Sequence, residues 1–126
     1  MKYDRSFLKC NICGNMIAMV DTKGGEVCCC QQPMVKLAPN TVDAATEKHV
    51  PVVSRDGNTV TVTVGSVPHP MTEEHHIAWI CAAQAGQTTR VQLDVTGEPT
   101  ATFTIADGDV TVYEYCNLHG LWAVDV

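Results

Sequence analysis

The chain has 126 residues, of which 45% are hydrophobic, and a formal net charge of -6; this is room for one ordinary domain, or for a very small domain joined to a modest one. Its eight basic residues are scattered and form no run, which argues against a nucleic-acid partner, because the phosphate backbone demands clustered Lys and Arg. No apolar stretch approaches the roughly 18–20 residues of a membrane-spanning helix, and Met1-Lys2-Tyr3-Asp4-Arg5-Ser6 enters Phe7-Leu8 without a secretory apolar region, so no membrane association and a cytoplasmic location are expected.

Cysteine usage divides the chain. Residues 1–36 hold five of the seven cysteines, Cys10, Cys13, Cys28, Cys29 and Cys30, and residues 37–126 hold all five histidines. An odd count with three consecutive cysteines suits a disulfide framework badly, and in a cytoplasmic chain the density points to metal or redox chemistry. Leu37-Ala38-Pro39-Asn40-Thr41 has the character of a linker. The expected organisation is a metal-stapled module over 1–36 and a larger domain over 37–126. The module is too short to bury a useful core and needs such a staple.

Cys10-Asn11-Ile12-Cys13-Gly14 is a CxxC followed by Gly. This spacing lets two sulfurs reach one ion, and the Gly relieves the tight turn. With the cluster at 28–30 it makes a tetrathiolate set that suits iron and zinc equally. Adjacent cysteines normally diverge, so chelation by neighbours implies local strain.

The larger domain reads as β. Thr59-Val60-Thr61-Val62-Thr63-Val64 alternates strictly, after a turn at Asp56-Gly57-Asn58. His76-Ile77-Ala78-Trp79-Ile80 is assigned to a strand, and Val91-Gln92-Leu93-Asp94-Val95 alternates. Thr102–Ile105 and Val110–Tyr113 flank Ala106-Asp107-Gly108-Asp109, which reads as a hairpin turn. Short strands with regular turns predict an antiparallel sandwich.

The histidines fall in three segments: Glu47-Lys48-His49-Val50-Pro51; His69-Pro70-Met71-Thr72-Glu73-Glu74-His75-His76; and Cys116-Asn117-Leu118-His119-Gly120-Leu121-Trp122. CxxH is a chelating spacing, and a mixed His/Cys set suits a redox or catalytic metal better than a closed structural zinc. Four His and one Cys make five ligands and leave a sixth octahedral position for a small molecule. Neighbours on a strand point to opposite faces, so one of His75 and His76 is expected to ligate; the spacing does not choose between them.

In these residues the chain resembles the desulfoferrodoxins, the two-iron superoxide reductases. The resemblance runs nearly end to end. It covers Cys10 to Asn15, the Cys pair before Gln32-Pro33-Met34, and Asn40 to Val52. It then takes in Gly65-Ser66-Val67-Pro68-His69-Pro70-Met71, His75, Ile77, Trp79-Ile80 and Glu114 to Trp122. It implies a mainly β protein: a small rubredoxin- or desulforedoxin-like iron–cysteine domain followed by an immunoglobulin-like antiparallel β-sandwich. Cys10, Cys13, Cys29 and Cys30 would hold one iron. His49, His69, His75 and His119, with Cys116 as axial ligand, would hold a second. Glu47 resembles the carboxylate that occupies the sixth site in the ferric resting state, and Lys48 the cation that draws substrate in. The implied activity is one-electron reduction of superoxide to hydrogen peroxide, with a rubredoxin-type donor restoring the iron in a homodimer. Cys28 is an extra thiol beside the first site, and His76 stands where the family has an aromatic residue. Cys81 reads as a small buried side chain. A closed electron-transfer or metal-binding module, a superoxide dismutase and a zinc-stapled structural domain with a remnant His site are the competing readings of the same residues.

Overall fold

The computed structural model describes residues 1–126. The chain forms two compact units, Asp4–Ala38 and Pro39–Val126, the latter joined by Met1–Tyr3.

The smaller unit is built from five short strands: β1 (Phe7–Lys9), β2 (Met16–Ala18), β3 (Cys28–Cys29), β4 (Gln32–Pro33) and β5 (Val35–Lys36). β1 lies between β2 and β5, antiparallel to both, and β3 pairs with β4 as a separate hairpin. Phe7 and Cys10 are its only buried side chains. Two side chains cannot offset the conformational entropy of ordering such a module, so its stability has to come from the sulfur cluster.

The larger unit begins with a helix that the sequence reading did not anticipate, α1 (Thr46–His49). Seven strands follow: β6 (Pro51–Asp56), β7 (Thr59–Val64), β8 (Ile77–Gln84), β9 (Gln87–Gln92), β10 (Thr100–Thr104), β11 (Thr111–Cys116) and β12 (Gly120–Asp125). They make two antiparallel sheets, ordered β10-β7-β6 and β12-β11-β8-β9, as the sandwich prediction requires. The Thr/Val alternation of β7 puts Val60, Val62 and Val64 wholly inside, where they pack with Ile80, Ala82, Phe103, Ile105 and Val112. Gly57 and Asn58 form the β6–β7 turn, with Asp56 opposite Thr59. From Asn40 onward the expected linker is fixed rather than free. Its side chain accepts from Ala123 N and donates to Ala123 O, and its own N–H donates to Leu121 O.

One sequence expectation is corrected. The strands flanking Ala106–Asp109 are not a hairpin: β10 pairs with β7, whereas β11 pairs with β8 and β12. The connection crosses from one sheet to the other, and side chains from elsewhere satisfy its backbone. Arg55 donates to the carbonyls of Ala106 and Gly108, and Gln84 donates to Ala106 and Asp109 while accepting from Ala106 N. Local turn chemistry looks the same in both cases; the register partners decide between them.

Register also brings the histidine segments together. The start of β6 is opposite the end of β7, Pro51 against Val64. In the other sheet the end of β11 is opposite the starts of β8 and β12, Cys116 against Ile77 and Gly120. A bulge between Tyr115 and Cys116 takes Ala78 out of register, which turns Ile77 inward beside Cys116.

Gly65, immediately after β7, is buried against α1. A Cβ there would lie 2.7 Å from Glu47 O and 3.0 Å from both the Lys48 carbonyl carbon and Val50 O. Those contacts are backbone and cannot swing away, so Gly65→Ala should displace α1 and destabilise the larger unit by about 1–3 kcal/mol. Urea unfolding followed by tryptophan fluorescence measures this, because Trp79 and Trp122 both lie in that unit.

Candidate metal centres

In the smaller unit, Cys10, Cys13, Cys29 and Cys30 present four sulfurs within 4.8 Å of one another. The loop between β1 and β2 folds back on itself, Cys10 N donating to Asn15 O and Gly14 N to Cys10 O. Gly14 supplies the left-handed conformation this requires, at φ 81°. Backbone N–H groups then point at sulfur: Ile12 N and Cys13 N at Cys10 Sγ, 3.4 and 3.5 Å, and Asn15 N at Cys13 Sγ, 3.4 Å. The N–H groups of Cys13 and Ile12 bring the Cys10 thiol down to about 6. Contacts with the other thiols, Cys13 first, push Cys30 up to about 12.

The adjacency of Cys29 and Cys30 is resolved by the backbone. Cys30 and Gln31 are the two-residue turn between β3 and β4, with φ of 53° and 63°. Positive φ at both positions is the signature of the type I′ hairpin turn, and it swings Cys30 round to the side of Cys29, Sγ to Sγ 4.0 Å. The expected strain is therefore located: two non-glycine residues sit in the left-handed region. Cys28, in β3, is exposed and outside the group of four.

In the larger unit, His49, His69, His75, Cys116 and His119 bring one donor atom each within 4.8 Å of the others. His49 ends α1, His69 follows β7, His75 precedes β8, and Cys116 and His119 bracket the β11–β12 turn. Nδ1 of His49 bonds Ala45 O and Nδ1 of His69 bonds Pro70 O, both at 2.7 Å. Each ring therefore turns Nε2 inward, and those two atoms are 3.2 Å apart. His119 presents Nδ1 instead, 3.1 Å from His49 Nε2. Cys116 Sγ lies 3.4 Å from His69 Nε2. Trp122 stacks on His49 with centroids 5.0 Å apart. His76 stays outside, its Nδ1 on Thr72 O.

Burial holds the rings of His49, His69 and His75 below the usual imidazole range, His69 down to about 4, and the neighbouring rings add to the effect. They therefore face each other as neutral lone-pair donors near neutral pH. Burial pushes the Cys116 thiol up, while the N–H groups of Leu118 and His119 pull it back. His75 Nε2 is buried with no hydrogen-bond partner. A buried imidazole nitrogen left unpaired among three other imidazoles and a thiol is what a bound transition metal would satisfy, and the mixed N/S donors suit iron. The four thiol sulfurs of the smaller unit suit a tetrahedral iron in the same way.

Glu47 and Lys48 are on α1, exposed and outside the ligand group. Both charges are nonetheless felt at His49, and that of Lys48 also at His75. Cys81 is fully buried in β8. Three residues near the site were quoted in the sequence only as parts of motifs, with no role assigned: Gly65, Trp122 as a stacking partner, and Glu114. Glu114 lies on the core face of β11 between Val112 and Cys116, wholly buried, with neither oxygen hydrogen-bonded. Burial pushes its carboxyl well above the usual range. A carboxylate at an inward position of an apolar alternation was the available signal.

Residues 41–125 match the Desulfoferrodoxin family, and residues 5–37 match the Desulfoferrodoxin N-terminal domain. A desulfoferrodoxin homolog of Archaeoglobus fulgidus is 47% identical over 114 residues, covering 90% of this chain and 91% of that protein. The superoxide reductase of Pyrococcus horikoshii is 39% identical over 74% of this chain and 97% of its own. Among solved structures, the superoxide reductase from Treponema pallidum aligns with a TM-score of 0.78 at 41% identity, covering 96% of this chain and 98% of that one. With family matches over most of its length and two donor groups that correspond to the family's two iron sites, the chain belongs to the desulfoferrodoxin family.

Proposed function

We propose that this protein is a superoxide reductase whose catalytic iron is held by His49, His69, His75, His119 and Cys116. The observation that carries the reading is the largely buried five-donor group with its unpartnered His75 Nε2. Iron bound there would supply one electron, with which superoxide and two protons would give hydrogen peroxide. The protein's own residues do the rest. Two buried rings, His49 and His69, and the half-buried ring of His75 stay neutral, and two N–H groups partly offset the burial that raises the Cys116 thiol, so the donors are pre-arranged. Lys48 offers a local positive charge to a small anion that the acidic molecule as a whole repels. Glu47, beside it on α1, would be the carboxylate that reaches the iron in the oxidised resting state.

Cys10, Cys13, Cys29 and Cys30 are assigned to a second iron. With every donor a thiolate, such an iron would store or relay an electron, or hold the small unit together. A rubredoxin-type donor would rereduce the catalytic iron, in a homodimer located in the cytoplasm. No helix is long and apolar enough to cross a membrane.

Anaerobic titration of the reduced, iron-loaded protein with superoxide tests the activity. Hydrogen peroxide should form in step with ferric absorbance and without enzyme-dependent oxygen; oxygen evolution without net iron oxidation would mean dismutation. Lys48→Ala should slow the second-order step about tenfold at low ionic strength and flatten its salt dependence, as pulse radiolysis can measure. Glu47→Ala should leave that step intact while changing the ferric absorption spectrum and its pH dependence; a spectrum identical to the parent at every pH would remove Glu47 from the site.

A further inference from the structure

His49 and His69 are oriented by their own rings, each Nδ1 held by a carbonyl. The ring of His75 makes no such bond, and its buried Nε2 is unpartnered. Its aim therefore depends on how its backbone is held. Thr72 takes one side: its hydroxyl accepts from His75 N at 3.1 Å and donates to His75 O at 3.2 Å, and its N–H also donates to His75 O.

The other side is held by Asn117. Its Oδ1 accepts from His76 N at 2.8 Å, its Nδ2 donates to Glu74 O at 3.0 Å, and its own N–H donates to His76 O at 3.2 Å. One amide thus grips the residues immediately before and after His75. The two side-chain bonds need an acceptor and a donor on the same short side chain, which an amide provides and a carboxylate does not. Asn117 also follows Cys116 directly in the chain, so the clamp ties the fourth imidazole to the strand end that carries the thiol.

We infer that Asn117 is the positioning residue for His75, fixing that imidazole relative to Cys116. The inference rests on the five-donor group being a metal site, as proposed above, but not on the reaction performed there. Residues that orient a ligand typically matter by about tenfold to a hundredfold in metal affinity.

The test measures ferrous iron affinity at the His/Cys site of the full-length protein by chelator competition, with iron counted per chain. Asn117→Ala should weaken binding by about tenfold or more, whereas Asn117→Asp, which keeps the acceptor for His76 N, should fall between it and the parent. The same change in a His75→Ala background should alter affinity by less than about twofold, because the ligand it positions is gone. An Asn117→Ala affinity within about twofold of the parent would overturn the inference, as would an equal loss in both backgrounds, which marks a general structural role. If Asn117→Ala does not fold, Asn117→Asp with and without His75→Ala makes the same comparison. A parent protein that binds iron only at its four cysteines would refute the metal-site reading itself, and the inference with it.

Discussion

Five lone-pair donors held within 4.8 Å of one another, most of them out of water, are the constraint on which the larger unit depends. Without a metal, such a group gains nothing from being assembled: its nitrogens and sulfur face each other, and one of them has no partner at all. The sandwich holds it because four donors lie at or beside strand ends and His49 ends the helix that leads into β6, and strand ends are fixed by registers that run back through the core. The Val60, Val62, Val64 and Phe103 layer is therefore also the support of the site. The bulge before Cys116 and the close approach of Gly65 to α1 are the two local departures that bring backbone into place around it.

The smaller unit solves a different problem with the same means. With Phe7 and Cys10 as its only buried side chains, it has almost no apolar core to order it. Backbone N–H groups from the Cys10–Asn15 loop are turned onto sulfur, and two left-handed residues are accepted at Cys30 and Gln31. Such strain persists only where surrounding contacts over-determine it, and an ion held by the four sulfurs would supply them. The donors are also unequal: Cys10 is buried under two N–H groups, while Cys30 is exposed.

Electrostatics separates assembly from attraction. The buried rings stay neutral because burial disfavours their charged form. Positive charge is left to Lys48, exposed on the short helix that ends in His49. A helix of four residues thus carries a buried donor and, beside it, two exposed charges of opposite sign, and Gly65 sets how closely that helix sits against the sandwich.

Much of this was legible in the sequence because it is local. Strict alternation from Thr59 to Val64 determined which face is buried, Gly57-Asn58 determined a hairpin, and the CxxC and CxxH spacings named donors that reach one ion. The ordered motifs from Glu47 through Trp122 identified the family. What depended on partners distant in the chain was not legible. Turn residues at Ala106–Asp109 looked like a hairpin, and only the pairing of β10 with β7 and of β11 with β8 showed a crossing between sheets. Spacing left His75 and His76 equal; hydrogen bonds from Thr72 and Asn117 turned one inward and the other out. Chelation by the adjacent Cys29 and Cys30 implied strain without locating it, and the left-handed turn at Cys30 and Gln31 is where the backbone takes it up. Residue type and spacing determined which chemistry was possible, whereas backbone register decided which of those residues meet, because a donor's direction is set by what the rest of the fold bonds to its backbone.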